Sequence, residues 1–180
     1  MKSLINRWSI VLTIVALAIF CSVKTNAATM VDSGSCGDDV SWELDDEGTL
    51  TISGTGAIAN YSVTSKAPWY EKYVQPYLEE EQGEIIKVVI AEGVTGIGDY
   101  AFYNFQHAVS IDIPESAIQI GEHSFSHCET LQDITISKYT TKLGSYAFEA
   151  CHSLKTFNSS LSVGGMNIVK YVFKDCDKIK

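Results

Sequence analysis

One arginine, Arg7, occurs in the 180 residues. Lysine and arginine together number 13 against 22 acidic residues, a formal charge of −9. Lys2, Arg7 and Lys24 all fall in the first 27 residues; without them ten lysines face 22 acids, and the charge is −12. Nucleic-acid backbones are held by clustered lysine and arginine, so this balance excludes that partner class. Acidity of this kind serves solubility outside the cell. The chain also lacks an apolar run of the roughly 20 residues that a membrane helix needs. Residues 10–20 are apolar apart from one threonine, follow the charged Lys2 and Arg7, and lead to the small-residue site Thr25-Asn26-Ala27. That order is a secretory leader, so residues 1–27 are read as a signal peptide and no span is expected after cleavage. An uncleaved anchor is the alternative. Phe20 stands before Cys21, where a lipid-modified leader needs a small residue.

Enzyme signatures are missing too. There is no phosphate loop, no Gly-x-Ser-x-Gly elbow and no His-Glu-x-x-His pair. His107, His123, His127 and His152 sit at positions that read as solvent-facing. No catalytic residue, cofactor or metal is expected, although folding can bring distant carboxylates together. His127-Cys128 and Cys151-His152 are adjacent, but neighbours in a tight turn diverge. Asp45-Asp46-Glu47-Gly48 lacks the alternate spacing that puts several oxygens on one calcium ion, and reads as a turn.

What is present is a repeat. Gly98, Gly121 and Gly144 lie 23 residues apart, as do Phe102, Phe125 and Phe148, with Phe173 two residues late. Val88, Ile111, Ile134 and Phe157 keep the same step. Coincident ladders at one period mean stacked coils. In each coil an alternating pair such as Ile111/Ile113 predicts a half-buried strand. A second short apolar stretch ends at the glycine. A small residue plus aromatic then predicts one helical or 3₁₀ turn. No single coil can bury its own apolar face, so neighbours must cover it. The glycine fits a turn of positive φ or a close approach between coils. Cys128, Cys151 and Cys176 follow the repeat. Equivalent positions in adjacent coils lie about 4.8 Å apart, whereas a disulfide needs Cβ atoms ~3.8 Å apart. Buried thiols are therefore favoured over bridges.

Ile111-Asp112-Ile113-Pro114, Ile120-Gly121, Phe125, Cys128 and Leu131 resemble the repeat of the BspA-like (treponemal-type) leucine-rich-repeat family, although leucine is scarce. Phe148, Cys151, Leu154 and Phe173, Cys176, Ile179 continue it. Phe105 and Ala108 depart from it in the first copy. Asn158-Ser159-Ser160 and Val163-Gly164-Gly165 depart in the fourth. Ser33-Gly34-Ser35-Cys36-Gly37, Trp42, Gly48-Thr49-Leu50 and Ala67-Pro68-Trp69 resemble the segment that precedes such repeats. The expected fold is an α/β repeat solenoid, a right-handed coil of stacked parallel strands. Residues 85–180 hold about four repeats, open at the C-terminal end. Residues 28–84 form an N-terminal cap. Within it, residues 34–53 read as a β-hairpin. Pro68 opens a short helix with the stripe Trp69, Tyr70, Tyr73, Val74 and Leu78, which Pro76 shortens. Trp42, Trp69 and Tyr70 are the bulky residues available to cover the first coil, or alternatively to form an exposed aromatic platform.

The resemblance implies a secreted or cell-surface, non-enzymatic protein that adheres to extracellular or host proteins. A structural or accessory repeat module, or a piece of a larger surface protein, is the alternative; a secreted hydrolase and a lectin-like glycan binder rank below it. The outward strand positions mark the expected ligand face: Lys87, Val89, Ser110, Asp112, Gln132, Asp133, Thr135, Lys155, Thr156 and Asn158. Four strands cover on the order of 250 Å², against ~800 Å² per partner in a standard interface. Further surface, or multivalence, is needed. Ile179 takes the slot of Leu154, so the last coil is expected to be open and able to pair with another copy. Asn60-Tyr61-Ser62 and Asn158-Ser159-Ser160 are glycosylation sequons where the cell glycosylates.

Overall fold

A computed structural model describes residues 27–74, 84–159, 167–168 and 171–179. The expected leader lies outside these residues, apart from Ala27. The chain opens with an antiparallel meander of β1 (Met30–Ser35), β2 (Val40–Asp45) and β3 (Thr49–Gly54). β3 then pairs in parallel with β5 (Lys87–Ile90), and β5 with β7 (Ser110–Asp112). A second, all-parallel sheet stacks the short strands β4 (Gly56–Ala57), β6 (Val94–Ile97), β8 (Gln119–Ile120), β10 (Lys142–Leu143) and β12 (Asn167–Ile168). β9 (Asp133–Ile136) and β11 (Thr156–Ser159) form a third parallel pair. Each coil thus supplies one main strand, one short strand and one aromatic turn.

Alternation drives the strands. In β2, Val40, Trp42 and Leu44 are buried while Ser41 and Glu43 face out. In β3, Leu50 and Ile52 are fully covered. Asp45 closes the turn between them, its Oδ1 accepting Glu47 N at 3.0 Å and Thr49 N at 2.8 Å. The expected hairpin is therefore part of a three-stranded meander, because β1 adds along β2.

The aromatic column is built as expected. Phe102, Phe125 and Phe148 are fully buried, with centroids 5.4 and 5.3 Å apart and planes within 9° of parallel. Phe173 extends the column at 5.5 Å. Trp69 closes its other end, stacked on Phe102 at 5.5 Å with Nε1 donating to Ala101 O at 3.1 Å. Trp42, Trp69 and Tyr70 are all buried, which removes the exposed-platform alternative.

Two expectations about helix are corrected. Among the described residues the only helix is α1 (Tyr70–Tyr73), a single turn, so the fold is almost all strand and turn rather than α/β. Tyr70 and Tyr73 are buried, as the stripe requires, but Pro76 and Leu78 lie outside the described residues. The aromatic turns are not helical either. Two residues before each ring, Tyr100, His123, Tyr146 and Tyr171 have φ between 51° and 69°. Two residues after it, Asn104, His127, Ala150 and Asp175 do the same. Such left-handed residues cannot sit inside a right-handed helix. Alternate amides instead point along the stack: Tyr100 N to Glu122 O at 2.9 Å, Phe102 N to Ser124 O at 2.8 Å and Asn104 N to Ser126 O at 2.9 Å. The turns therefore form a third ladder between coils.

At Gly98, Gly121 and Gly144 the reason for glycine is close approach. A Cβ on Gly98 would lie 1.9 Å from Ala59 O, and one on Gly144 would lie 2.4 Å from Glu122 N. Positive φ in the turns falls to the tyrosines, histidines and their partners, not to these glycines. The thiols are free: Cys128 and Cys151 are fully buried and Cys176 is half-buried. Each Sγ donates to the phenylalanine carbonyl one coil back: Phe102 O at 3.5 Å, Phe125 O at 3.2 Å and Phe148 O at 2.9 Å. Contact with Cys128 and burial raise the Cys151 pKa. Burial alone pushes Cys36 up to about 12.

The N-terminal region itself follows the path of a coil. β3 pairs with β5, β4 pairs with β6, and Trp69 stands in the ring column. Asn60 Oδ1 accepts Asp99 N at 2.9 Å, just as Asp99 Oδ1 accepts Glu122 N at 2.7 Å. Ile58-Ala59-Asn60-Tyr61 thus holds the stations of Ile97-Gly98-Asp99-Tyr100.

Candidate binding face

The outward positions of the main strands form one surface. β5 presents Lys87 and Val89 half-exposed; β7 presents Ser110 half-exposed and Asp112 exposed. Asp133 and Thr135 of β9 and Thr156 and Asn158 of β11 are exposed, with Gln132 and Lys155 at the entries to those strands. Eight of the ten expected residues therefore follow one strand register, and Gln132 and Lys155 stand one residue ahead of it. Strand register carries the surface on to Thr51, beside Val89, and to Glu43, beside Thr51. Those meander residues were missed in the sequence; the alternation of β2 and β3 was visible, but their pairing to the first repeat was not. Six strands about 4.8 Å apart raise the area to roughly 400 Å², still below ~800 Å².

Polar contacts hold parts of this face. Lys87 Nζ lies 3.3 Å from Asp112 Oδ2, and Lys155 Nζ donates to Gln132 Oε1 at 3.0 Å. Both are exposed and contribute little to stability. The main ladder is interrupted at one point. β7 does not pair with β9. Ile86 O accepts Val109 N at 2.9 Å and Gln132 O accepts Lys155 N at 2.8 Å, but no matching bond from Gln132 N to Val109 O occurs among the described residues. A depression lies there, lined by residues 109–113 together with Asp133 and Thr135.

A model of the BspA-type leucine-rich repeat region matches residues 75–180, in six copies. The chain belongs to the BspA-type leucine-rich repeat family. A solved structure agrees on the fold. A leucine-rich repeat protein from Eubacterium ventriosum matches with a TM-score of 0.52 and 21% identity, over 83% of this chain and 45% of its own. One from Bacteroides capillosus gives a TM-score of 0.45 at 17% identity, over 73% of this chain and 98% of its own. One from Bacteroides ovatus gives 0.41 at 20%, over 80% and 45%. This BspA-type chain thus spans less than half of the Eubacterium protein. No curated protein matches the sequence significantly.

The opposite flank of the BspA-type coils carries a second aromatic column. His123 is sandwiched between Tyr100 and Tyr146, each 4.8 Å away, and Tyr171 follows Tyr146 at 5.4 Å. His123 Nδ1 lies 3.3 Å from Glu149 Oε2, and Lys174 Nζ lies 2.7 Å from Glu149 Oε1. The side chain of His123 is only 18% exposed, which corrects the reading of all four histidines as solvent-facing. His107 and His152 are half-exposed, paired with Glu84 at 3.7 Å and Asp177 at 3.0 Å. Among the described residues no group of three or more His, Cys, Asp or Glu could hold a metal ion, and no helix is long and apolar enough to cross a membrane.

Proposed function

We propose that the chain is a secreted or cell-surface binding protein that adheres, without enzymatic chemistry, to extracellular or host proteins through the outer face of its main strands. The observation that carries this reading is the face itself. Eight polar or half-exposed positions from four successive coils share one strand register, with Gln132 and Lys155 at the strand entries, and Thr51 and Glu43 of the meander continue it. Membership of a family of leucine-rich repeats supports a role in protein interaction, and the leader pattern of residues 1–27 supports export. The modest area implies weak single contacts strengthened by multivalence.

The test is capture of a panel of extracellular-matrix and serum proteins on the chain. Val89→Arg with Thr156→Arg crowds the face; Lys142→Glu alters the second sheet, well away from it. Saturable capture should fall by about tenfold or more in the first variant, a loss of ~1.4 kcal/mol, and persist in the second. Capture that survives crowding of the face would end this reading.

A further inference from the structure

The break between β7 and β9 has the chemistry of a receptor for one long cationic side chain. Repeat register puts Asp112 diagonal to Asp133 across the break, about 7 Å apart by ordinary strand geometry. Both are exposed and both line the same depression. This is also the junction at which the main ladder is open. Lys87 approaches Asp112 from the β5 side at 3.3 Å. The Asp133 carboxylate has no ion pair or hydrogen-bonding partner among the described residues. Apolar surface comes from Val109, which is 56% exposed, and from the half-buried Ile113. Thr135 adds a hydroxyl acceptor on the far side.

Apolar surface with paired carboxylates suits a side chain with a methylene stem and a charged head. Lysine and arginine lay their stems on apolar surface and hold the head among acceptors. Arginine fits better, because its planar fork can serve two carboxylates at once. We infer that this notch receives an arginine or lysine side chain from the partner protein, so that the ligand of the face is a basic segment. The inference rests on the binding face proposed above and deepens it. A carboxylate pair that the chain neutralises only at Asp112 supplies the charge complementarity. Lys87 already provides half of that neutralisation from within, and it competes with the incoming cation.

The test uses Gly-Ser peptides carrying no arginine, two arginines or two glutamates, titrated into the isotopically labelled chain while backbone amide shifts are followed. The arginine peptide should move the amides of Val109, Asp112, Ile113, Asp133 and Thr135; the other two should not. Asp112→Asn with Asp133→Asn should weaken the titration by about fivefold, the scale of an exposed ion pair. Asp38→Asn with Asp46→Asn, which removes the same charge away from the notch, should leave it unchanged. Lys87→Gln should strengthen it. Shifts scattered over every acidic patch, or equal weakening by both aspartate pairs, would overturn the notch and leave only general attraction to an acidic protein. If the notch variant still captures matrix or serum proteins while Val89→Arg with Thr156→Arg does not, the face stands and the cationic receptor falls. If neither affects capture, the face itself falls.

Discussion

Ser124 holds the slot that Ala101 and Ala147 occupy one coil to either side, and its hydroxyl is buried with no partner among the described residues. A buried hydroxyl without a hydrogen bond costs free energy on folding. Ser124→Ala keeps the packing of the column and removes that cost. Stability should rise by about 1 kcal/mol, seen as a melting temperature higher by roughly 2–4 °C in a circular-dichroism scan. A fall of similar size would mean that the hydroxyl has found an acceptor. The thiols show the opposite case at the same scale. Cys128, Cys151 and Cys176 are polar enough to donate to a carbonyl and small enough to sit inside. That is why their register was readable: a residue that repeats with the rings shares their environment. His123 was less readable, because nothing in its own identity says that tyrosines stand on both sides.

At the scale of elements, the strands and ring column were visible in the sequence because each depends on a residue type recurring at a fixed step. The turn conformation was not. Its left-handed positions are filled by tyrosine, histidine, asparagine, alanine and aspartate rather than glycine, so no single letter marks them. The coil-like path of β3 and β4 was hidden for a similar reason: Ala59 stands where the repeats have glycine, and Trp69 comes six residues later than the repeat spacing would put a ring. β1 was missed as well. It is tied down from below, with Lys72 Nζ 2.9 Å and Tyr73 Oη 2.8 Å from Asp32 Oδ2. The hydrogen bond from Lys72, then that from Tyr73, hold the Asp32 carboxyl below its ordinary value. A lowered carboxylate pKa contributes stability above the unfolded-state value and loses it as the pH falls through the folded one. Asp32→Asn should therefore cost less than about 1 kcal/mol at neutral pH, since the pair is partly exposed. The two chains should converge in stability as the pH drops below the usual carboxylate range. Urea titrations at several pH values measure this, and a difference that persists in acid would exclude the ion pair as its source.

For the molecule as a whole, nearly every contact runs between adjacent coils, so stability is a sum over neighbours rather than a property of one centre. Phe125 touches a ring on each side, Phe102 at 5.4 Å and Phe148 at 5.3 Å. Phe125→Ala should cost about 3–5 kcal/mol. It should also uncouple the two halves of the stack. Trp42 and Trp69 both sit at the N-terminal end, so their fluorescence reports that half, while far-ultraviolet circular dichroism reports all strands. In the parent chain the two urea transitions should coincide. In the variant they should separate, the dichroism change starting first. Coincident transitions in both would show a cooperativity that nearest-neighbour contacts do not explain. The proposed binding face has the same linear character: its area grows with strand count, and with it the scope for a partner that repeats.

The joint between the opening meander and the first repeat is made like the joints that follow it: strand on strand, short strand on short strand, ring on ring. Cutting out the 23 residues from Gly98 through Ile120, or splicing in another set, leaves two surfaces of the same outline. The molecule is ruled like a measuring tape, and its reach can change by whole graduations while the fitting at its start stays as it is.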